Sequence, residues 1–180
     1  QADLQYDKIE TDVIEGLDWS VNNGMQVVNM SLGTNSDIQS FHDAVVKANQ
    51  AGIMQVAAAG NDGGAVDFPG AYPEVIGVAA VQKNAGGTLS VASFTSRGRE
   101  VDISAPGVDI LSTYKGSSYA TLSGTSMATP HVTGVAALVS PPTRQEQLRD
   151  LARRSIHRVF RIMNDGDESI CPFLVIQNGK

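Results

Sequence analysis

Apolar positions along this chain change period several times, and the changes delimit its elements. Over residues 11–23, Ile14, Leu17 and Val21 recur three to four residues apart, the spacing of one buried helix face. Thr11 offers a cap and Gly24 a stop. Gln26 to Met30 reads as a short buried strand. Ser36-Asp37-Ile38-Gln39 has the form of a capping box. The helix behind it carries Ile38, Phe41, Val45 and Ala48 on one face and is expected to stop at Gly52. Ile53 to Ala59 and Val75 to Val81 are nearly continuous apolar runs, as expected of strands covered on both faces.

Beyond these, residues 63–73 read as loop. Asn84 to Thr88 reads as a hairpin turn with Leu89 to Phe94 returning. Short strands are expected at Val101 to Ser104 and Ile110 to Thr113, around Ala105-Pro106-Gly107. A helix with almost no polar face runs from Ser126 to about Val139, where Pro141-Pro142 ends it. Thr143-Arg144-Gln145-Glu146 is a second capping box, opening a helix to about Ile156. Apolar strands alternating with amphipathic helices predict an α/β fold, a parallel sheet flanked by helices on both faces. Loops past the carboxyl ends of such strands carry function, which singles out Ser31-Leu32-Gly33 and Gly60-Asn61-Asp62-Gly63.

Length and composition narrow the classes. The 180 residues suit one domain with a sizeable core. A net charge of −6 argues against nucleic acid as the main partner. No apolar run approaches the roughly 18–20 residues that cross a bilayer, so no membrane partner is expected. Gln1-Ala2-Asp3-Leu4 is not the start of a signal peptide; a leader could precede it. Cys171 is the single cysteine, which excludes an internal disulfide and a cysteine zinc site.

The candidate chemistry begins at Gly124-Thr125-Ser126-Met127-Ala128-Thr129-Pro130-His131. A serine at a helix start is near unpaired N–H groups and a partial positive charge. Its oxygen could attack a carbonyl while those groups hold the oxyanion. The plain alternative is a helix N-cap, with Pro130 explained by helix-start geometry. Asn61 follows an apolar strand between Gly60 and Gly63. Its amide could donate to an oxyanion, or it could be a turn residue.

Taken together these segments resemble the subtilisin-like serine proteases (subtilases). Val28-Asn29-Met30-Ser31-Leu32-Gly33 is similar to the family's substrate-binding strand, and Ala57-Ala58-Ala59-Gly60-Asn61 to its oxyanion segment. Phe68-Pro69-Gly70-Ala71-Tyr72-Pro73 and Ala105-Pro106-Gly107 also match, and residues 124–132 resemble the nucleophile signature. The match covers roughly residues 11 to 140, in family order. It implies a serine endopeptidase with an acyl-enzyme on Ser126. Asn61 and the Ser126 N–H would form the oxyanion hole. Ser31, Leu32 and Gly33 would pair with an extended polypeptide substrate, and Ala58, Ala59 and Gly60 would wall the pocket. Asp62 and Asp67 either admit lysine or arginine there or are solvated loop carboxylates. Glu100 and Asp102, with carbonyls of Gly70, Tyr72 and Val75, match a weak family site for structural sodium or calcium; surface charge is the alternative. Asn164-Asp165-Gly166-Asp167-Glu168 lacks EF-hand spacing and reads as a solvated turn. The resemblance also implies secretion, with a cytoplasmic enzyme as the alternative.

The family order is Asp, His, Ser, and its Asp and His motifs are expected upstream of residue 1. Residues 1–157 would then be the C-terminal portion of a catalytic domain, inactive alone, with its N-terminal half or a propeptide as partner. Residues 158–180 read as a divergent tail, which Arg158 and Arg161 join to a basic cluster with Arg153 and Arg154. Internal histidines do not replace the base. His131 lies about 140° around its helix from Ser126. His42 suits a surface or packing role. Ser126, Asp150 and His157 follow the α/β-hydrolase order, but Gly124-Thr125-Ser126-Met127-Ala128 lacks that elbow's second glycine. The rival to a protease is a non-catalytic domain that binds extended peptides or serves as scaffold.

Overall fold

The computed structural model describes residues 2–138, with side chains from Thr11 onward. The helix expected from Thr143 to about Ile156 lies outside the described residues. So do Asp150, His157, Cys171, the basic cluster and the residue 164–168 turn.

The elements are α1 (Ala2–Asn22), β1 (Val27–Met30), α2 (Gln39–Gln50), β2 (Met54–Ala58), β3 (Val75–Lys83), β4 (Leu89–Val91), β5 (Val101–Pro106), β6 (Ile110–Tyr114), β7 (Ser118–Leu122) and α3 (Thr125–Leu138). Strands β1, β2, β3 and β5 are parallel, with β2 between β1 and β3 and β3 paired to β5. Strand β4 turns back antiparallel on β3 through the Asn84–Thr88 turn. Strands β6 and β7 form a separate hairpin.

Period-two alternation divides the sheet's side chains between two cores. Val56, Ile76, Val78, Ala80, Ile103 and Ala105 meet Ala128, Val132 and Ala136 of α3. Ala57 and Val75 face the other way, onto Leu17 of α1 and Phe41, Val45 and Ala48 of α2. This is the predicted sheet with helices on both faces.

Four expectations need correction. Thr11 is not a cap: α1 runs back to Ala2 because residues 2–10 contain neither Gly nor Pro. The Ser36 capping box does not form. Helix α2 starts at Gln39 behind Ile38, with no side-chain cap. Ser36 Oγ donates to Asn35 Oδ1, and Asp37 accepts from the Tyr72 hydroxyl. Strand β5 continues through Ala105 and Pro106, which pair with Ala80 and Val81. Strand β7 has no counterpart in the apolar pattern, because four of its five residues are exposed.

Candidate active site

Three segments converge where β1 and β2 end and α3 begins. Helix α3 starts at Thr125, so Ser126 is in the first turn rather than at the cap. The capping acceptor comes from another strand end: Asn61 Oδ1 accepts from the Thr125 N–H at 2.8 Å and from Thr125 Oγ1 at 3.0 Å. Thr125 Oγ1 in turn accepts from the Gly60 N–H at 3.2 Å. A first-turn N–H of the helix is thereby satisfied, and the carboxamide of Asn61 is fixed in orientation. Its Oδ1 faces the helix, so its Nδ2 faces away. Neither that Nδ2 nor the Ser126 N–H has an acceptor among the described residues. Two donors without an acceptor therefore lie in the segments that meet at the start of α3.

Pro130 lies inside the helix, not at its start as the sequence suggested. It has no N–H for the carbonyl four residues earlier, which is that of Ser126. Ser31 Oγ takes over that role, donating to the Ser126 carbonyl at 2.9 Å. The Ser126 hydroxyl returns a bond to the Ser31 carbonyl at 3.2 Å. Asn29 Nδ2 donates to Ser31 Oγ, and Thr133 Oγ1 donates to Asn29 Oδ1. Asn29 and Thr133 thus tie α3 to the end of β1. Sequence patterning did not single them out as functional, because both carry ordinary polar side chains. Ser31→Ala leaves the Ser126 carbonyl without a donor, an expected loss of about 1–3 kcal/mol, measurable by urea unfolding of the full-length protein.

Past Met30, Leu32 and Gly33 leave the sheet ladder and are exposed. Thr34 and Phe68 then exchange backbone hydrogen bonds. Ala58, at the end of β2, and Ala59, just past it, are both buried; the Ala59 N–H donates to the Val78 carbonyl and its carbonyl accepts from the Asp67 N–H. Gly60 has φ +106°, and a Cβ there would meet Asp67 Oδ2 and, at 2.7 Å, both Asp67 Cγ and Ser96 Oγ. Gly60→Ala is therefore expected to cost about 2–4 kcal/mol through backbone strain and overpacking, again read by urea unfolding.

Asp67 lies between Gly33 and Gly60: a Cβ on Gly33 would meet Asp67 Cβ at 2.9 Å and Oδ2 at 3.3 Å. Burial, and then the nearby Asp62 carboxylate, push the Asp67 carboxyl above its ordinary value. A raised carboxyl pKa destabilises the native state once the group ionises, and the penalty vanishes below the unfolded-state pKa. Asp67→Asn is expected to raise the melting temperature at pH 7, with the gain fading as the pH falls through the carboxylate range.

Three of the candidate ion-ligand residues, Gly70, Glu100 and Asp102, meet at Gly77. A Cβ on Gly77 would meet the carbonyls of Gly70 and Glu100, each at 2.7 Å. Asp102 Oδ2 accepts from the Gly77 N–H at 3.1 Å, and the Tyr72 carbonyl accepts from the Val75 N–H at 3.1 Å. The Glu100 carboxylate turns elsewhere, against Gly98, on the wall of an open cavity of about 490 Å³ that Asp62, Val66 and Asp67 also line. Among the described residues no three His, Cys, Asp or Glu side chains are grouped to hold a metal.

Neither described histidine reaches Ser126. His131 Nδ1 is 2.8 Å from the Met127 carbonyl within α3. His42 stacks on Tyr72 and lies 3.1 Å from Glu74.

Known proteins share the sequence and fold of this chain. Residues 3–168 match the profile described as "Subtilase family". The chain is 50% identical over 141 residues to a "Thermostable alkaline protease" of Halalkalibacterium halodurans, covering 76% of this chain and 38% of that protein. It is 47% identical over 150 residues to the "Minor extracellular protease Epr" of Bacillus subtilis, covering 80% of this chain and 22% of that protein. It is 45% identical to "Subtilisin Savinase" of Lederbergia lenta over 142 residues, covering 77% and 51%. Among solved structures, "Sphericase" superposes with a TM-score of 0.73 at 35% identity, covering 84% of this chain and 56% of that one. The chain thus spans about half or less of the length of these curated relatives.

Proposed function

The chain belongs to the subtilase family, and on that premise we propose that the full-length protein is a serine endopeptidase with Ser126 as its nucleophile. The observation that supports this reading is the pair of donors without an acceptor among the described residues, Asn61 Nδ2 past the end of β2 and the Ser126 N–H in the first turn of α3. Ser126 Oγ attacks the carbonyl carbon of the scissile bond and gives its proton to a histidine base that lies outside the described residues. The two donors hold the carbonyl oxygen as it becomes an oxyanion. The C–N bond breaks, the leaving amine takes the proton, and water then hydrolyses the Ser126 ester. The substrate is an extended polypeptide segment laid along Ser31, Leu32 and Gly33 as an added strand, beside Gly60.

A fluorophosphonate probe on the full-length product tests this. Covalent labelling at Ser126 is expected. No labelling there favours the second reading, a peptide-binding domain without catalysis; the Ser126 hydroxyl's bond to the Ser31 carbonyl is the observation on that side.

Two further expectations belong to this reading. Secretion is supported by an extracellular relative, and no described helix is long and apolar enough to cross a membrane. A structural calcium or sodium ion would use the oxygens of Gly70, Tyr72, Val75 and Asp102, with Glu100 added if its carboxylate turns inward. Such hard oxygen donors suit either ion, and the ion takes no part in the chemistry. Calcium at 100 times its Kd is expected to add about 2.7 kcal/mol of stability. A melt with calcium and with chelator checks this, and identical curves would remove the ion from the proposal.

A further inference from the structure

We propose that Thr133 is a positioning residue for Ser126: acting through Asn29, it keeps the hydrogen of the Ser31 hydroxyl on the Ser126 carbonyl. This inference rests on the endopeptidase reading and deepens it, from the nucleophile to what holds the nucleophile in place.

The need arises from Pro130. Its nitrogen has no hydrogen, so the first turn of α3 lacks the bond that residue 130 would give the Ser126 carbonyl. Ser31 Oγ supplies a donor from the end of β1, 2.9 Å away. A serine hydroxyl has a single hydrogen, and its remaining capacity is as an acceptor. What else touches Ser31 Oγ therefore decides where that hydrogen goes. The other side chain on it is Asn29, whose Nδ2 donates at 2.9 Å. With Asn29 donating, Ser31 Oγ accepts on that side and its hydrogen stays on the Ser126 carbonyl. With the Asn29 amide turned over, Oδ1 would face the Ser31 hydroxyl and take the hydrogen for itself.

Thr133 sets which way that amide faces. Its Oγ1 donates to Asn29 Oδ1 at 2.9 Å, which holds Oδ1 toward α3 and Nδ2 toward Ser31. Thr133 Oγ1 is also 3.0 Å from the Thr129 carbonyl. That carbonyl is the helical partner of the Thr133 N–H, so it does not depend on the hydroxyl. Asn29 Oδ1 has no other donor among the described residues. The three bonds thus run in one direction, from Thr133 through Asn29 and Ser31 to the Ser126 backbone. That backbone carries both the Ser126 hydroxyl and the N–H assigned to the oxyanion. Misplacement of a reacting group by about 1 Å is enough to cost roughly 10²-fold in rate.

A double-mutant cycle in the full-length protein tests this, read as kcat and KM on a peptide substrate and as the rate of fluorophosphonate labelling. Thr133→Val keeps the branched shape and the helix propensity and removes the hydroxyl. It is expected to lower kcat and the labelling rate by about 3–10-fold. KM should change little, because the relay enters Ser31 through its hydroxyl and not through the main chain of Leu32 and Gly33. Thr133→Ser restores the hydroxyl and is expected to recover most of the loss. Asn29→Asp has nothing to donate and draws the Ser31 hydrogen with a charge, so a larger loss of about 10–100-fold is expected. In a Ser31→Ala background the relay has no last step, and adding Thr133→Val is expected to change kcat no further. Wild-type kcat in Thr133→Val or Asn29→Asp overturns this inference and leaves the endopeptidase reading standing. So does a Thr133→Ser variant as slow as Thr133→Val, or an equal loss from Thr133→Val with and without Ser31. A wild-type protein that neither cleaves the peptide nor takes the label ends both.

Discussion

Replacing Ser126 by alanine in the full-length protein is expected to lower kcat by roughly 10⁶-fold, the size known for the corresponding loss in a subtilisin. The geometry allows this loss to be separated from misfolding. The Ser126 hydroxyl makes one bond, to the Ser31 carbonyl at 3.2 Å. The anchor of the helix start is instead the Ser31 hydroxyl on the Ser126 carbonyl, which alanine keeps. Unfolding free energy should therefore change by no more than about 1 kcal/mol, while fluorophosphonate labelling disappears. Residual hydrolysis of about 10³–10⁴ over water is expected from the oxyanion donors and substrate binding. Hydrolysis at the wild-type rate in this variant would show that another group is the nucleophile.

Asn61→Leu is expected to lower kcat by about 10²–10³, again the size known from a subtilisin, and to cost stability as well. Asn61 has two duties on two atoms. Its Nδ2 is the free donor, and its Oδ1 accepts from the Thr125 N–H and hydroxyl. Leucine removes both, leaving the start of α3 without its acceptor at an expected cost of about 1–3 kcal/mol. Asn61→Asp divides the two duties. The carboxylate still accepts from Thr125, so stability should largely return. It has no N–H to offer an oxyanion and adds repulsion, so kcat should stay low. An aspartate variant with wild-type kcat would remove Asn61 from the oxyanion hole.

Much of the fold was legible because its strands are apolar runs and its helices keep a 3.6-residue period. Ile53 to Ala59 and Val75 to Val81 lie within one or two residues of β2 and β3. The failures share a cause. Ser36 matched a capping box, but Asp37 is drawn to the Tyr72 hydroxyl, 35 residues away in sequence. Strand β7 is mostly exposed, so burial left no alternation to read. Ser126 was compatible with a cap until the helix was seen to start at Thr125. Pro130 suggested a helix start, but its missing N–H is offset by Ser31 Oγ from another strand.

The amino-acid sequence by itself determined the α/β class, the two loops at strand ends and the family, because periodicity and motif order are local properties of the chain. Only the tertiary structure decided what each polar atom does. It turned Asn61 Oδ1 onto Thr125 and left its Nδ2 free. It placed Ser31 beneath the carbonyl that Pro130 cannot serve. It brought Asp67 and Ser96, 29 residues apart, against Gly60. Hydrogen bonds and buried charges are short-range, and their partners come from distant parts of the chain, so their pairing exists only once the sheet has assembled.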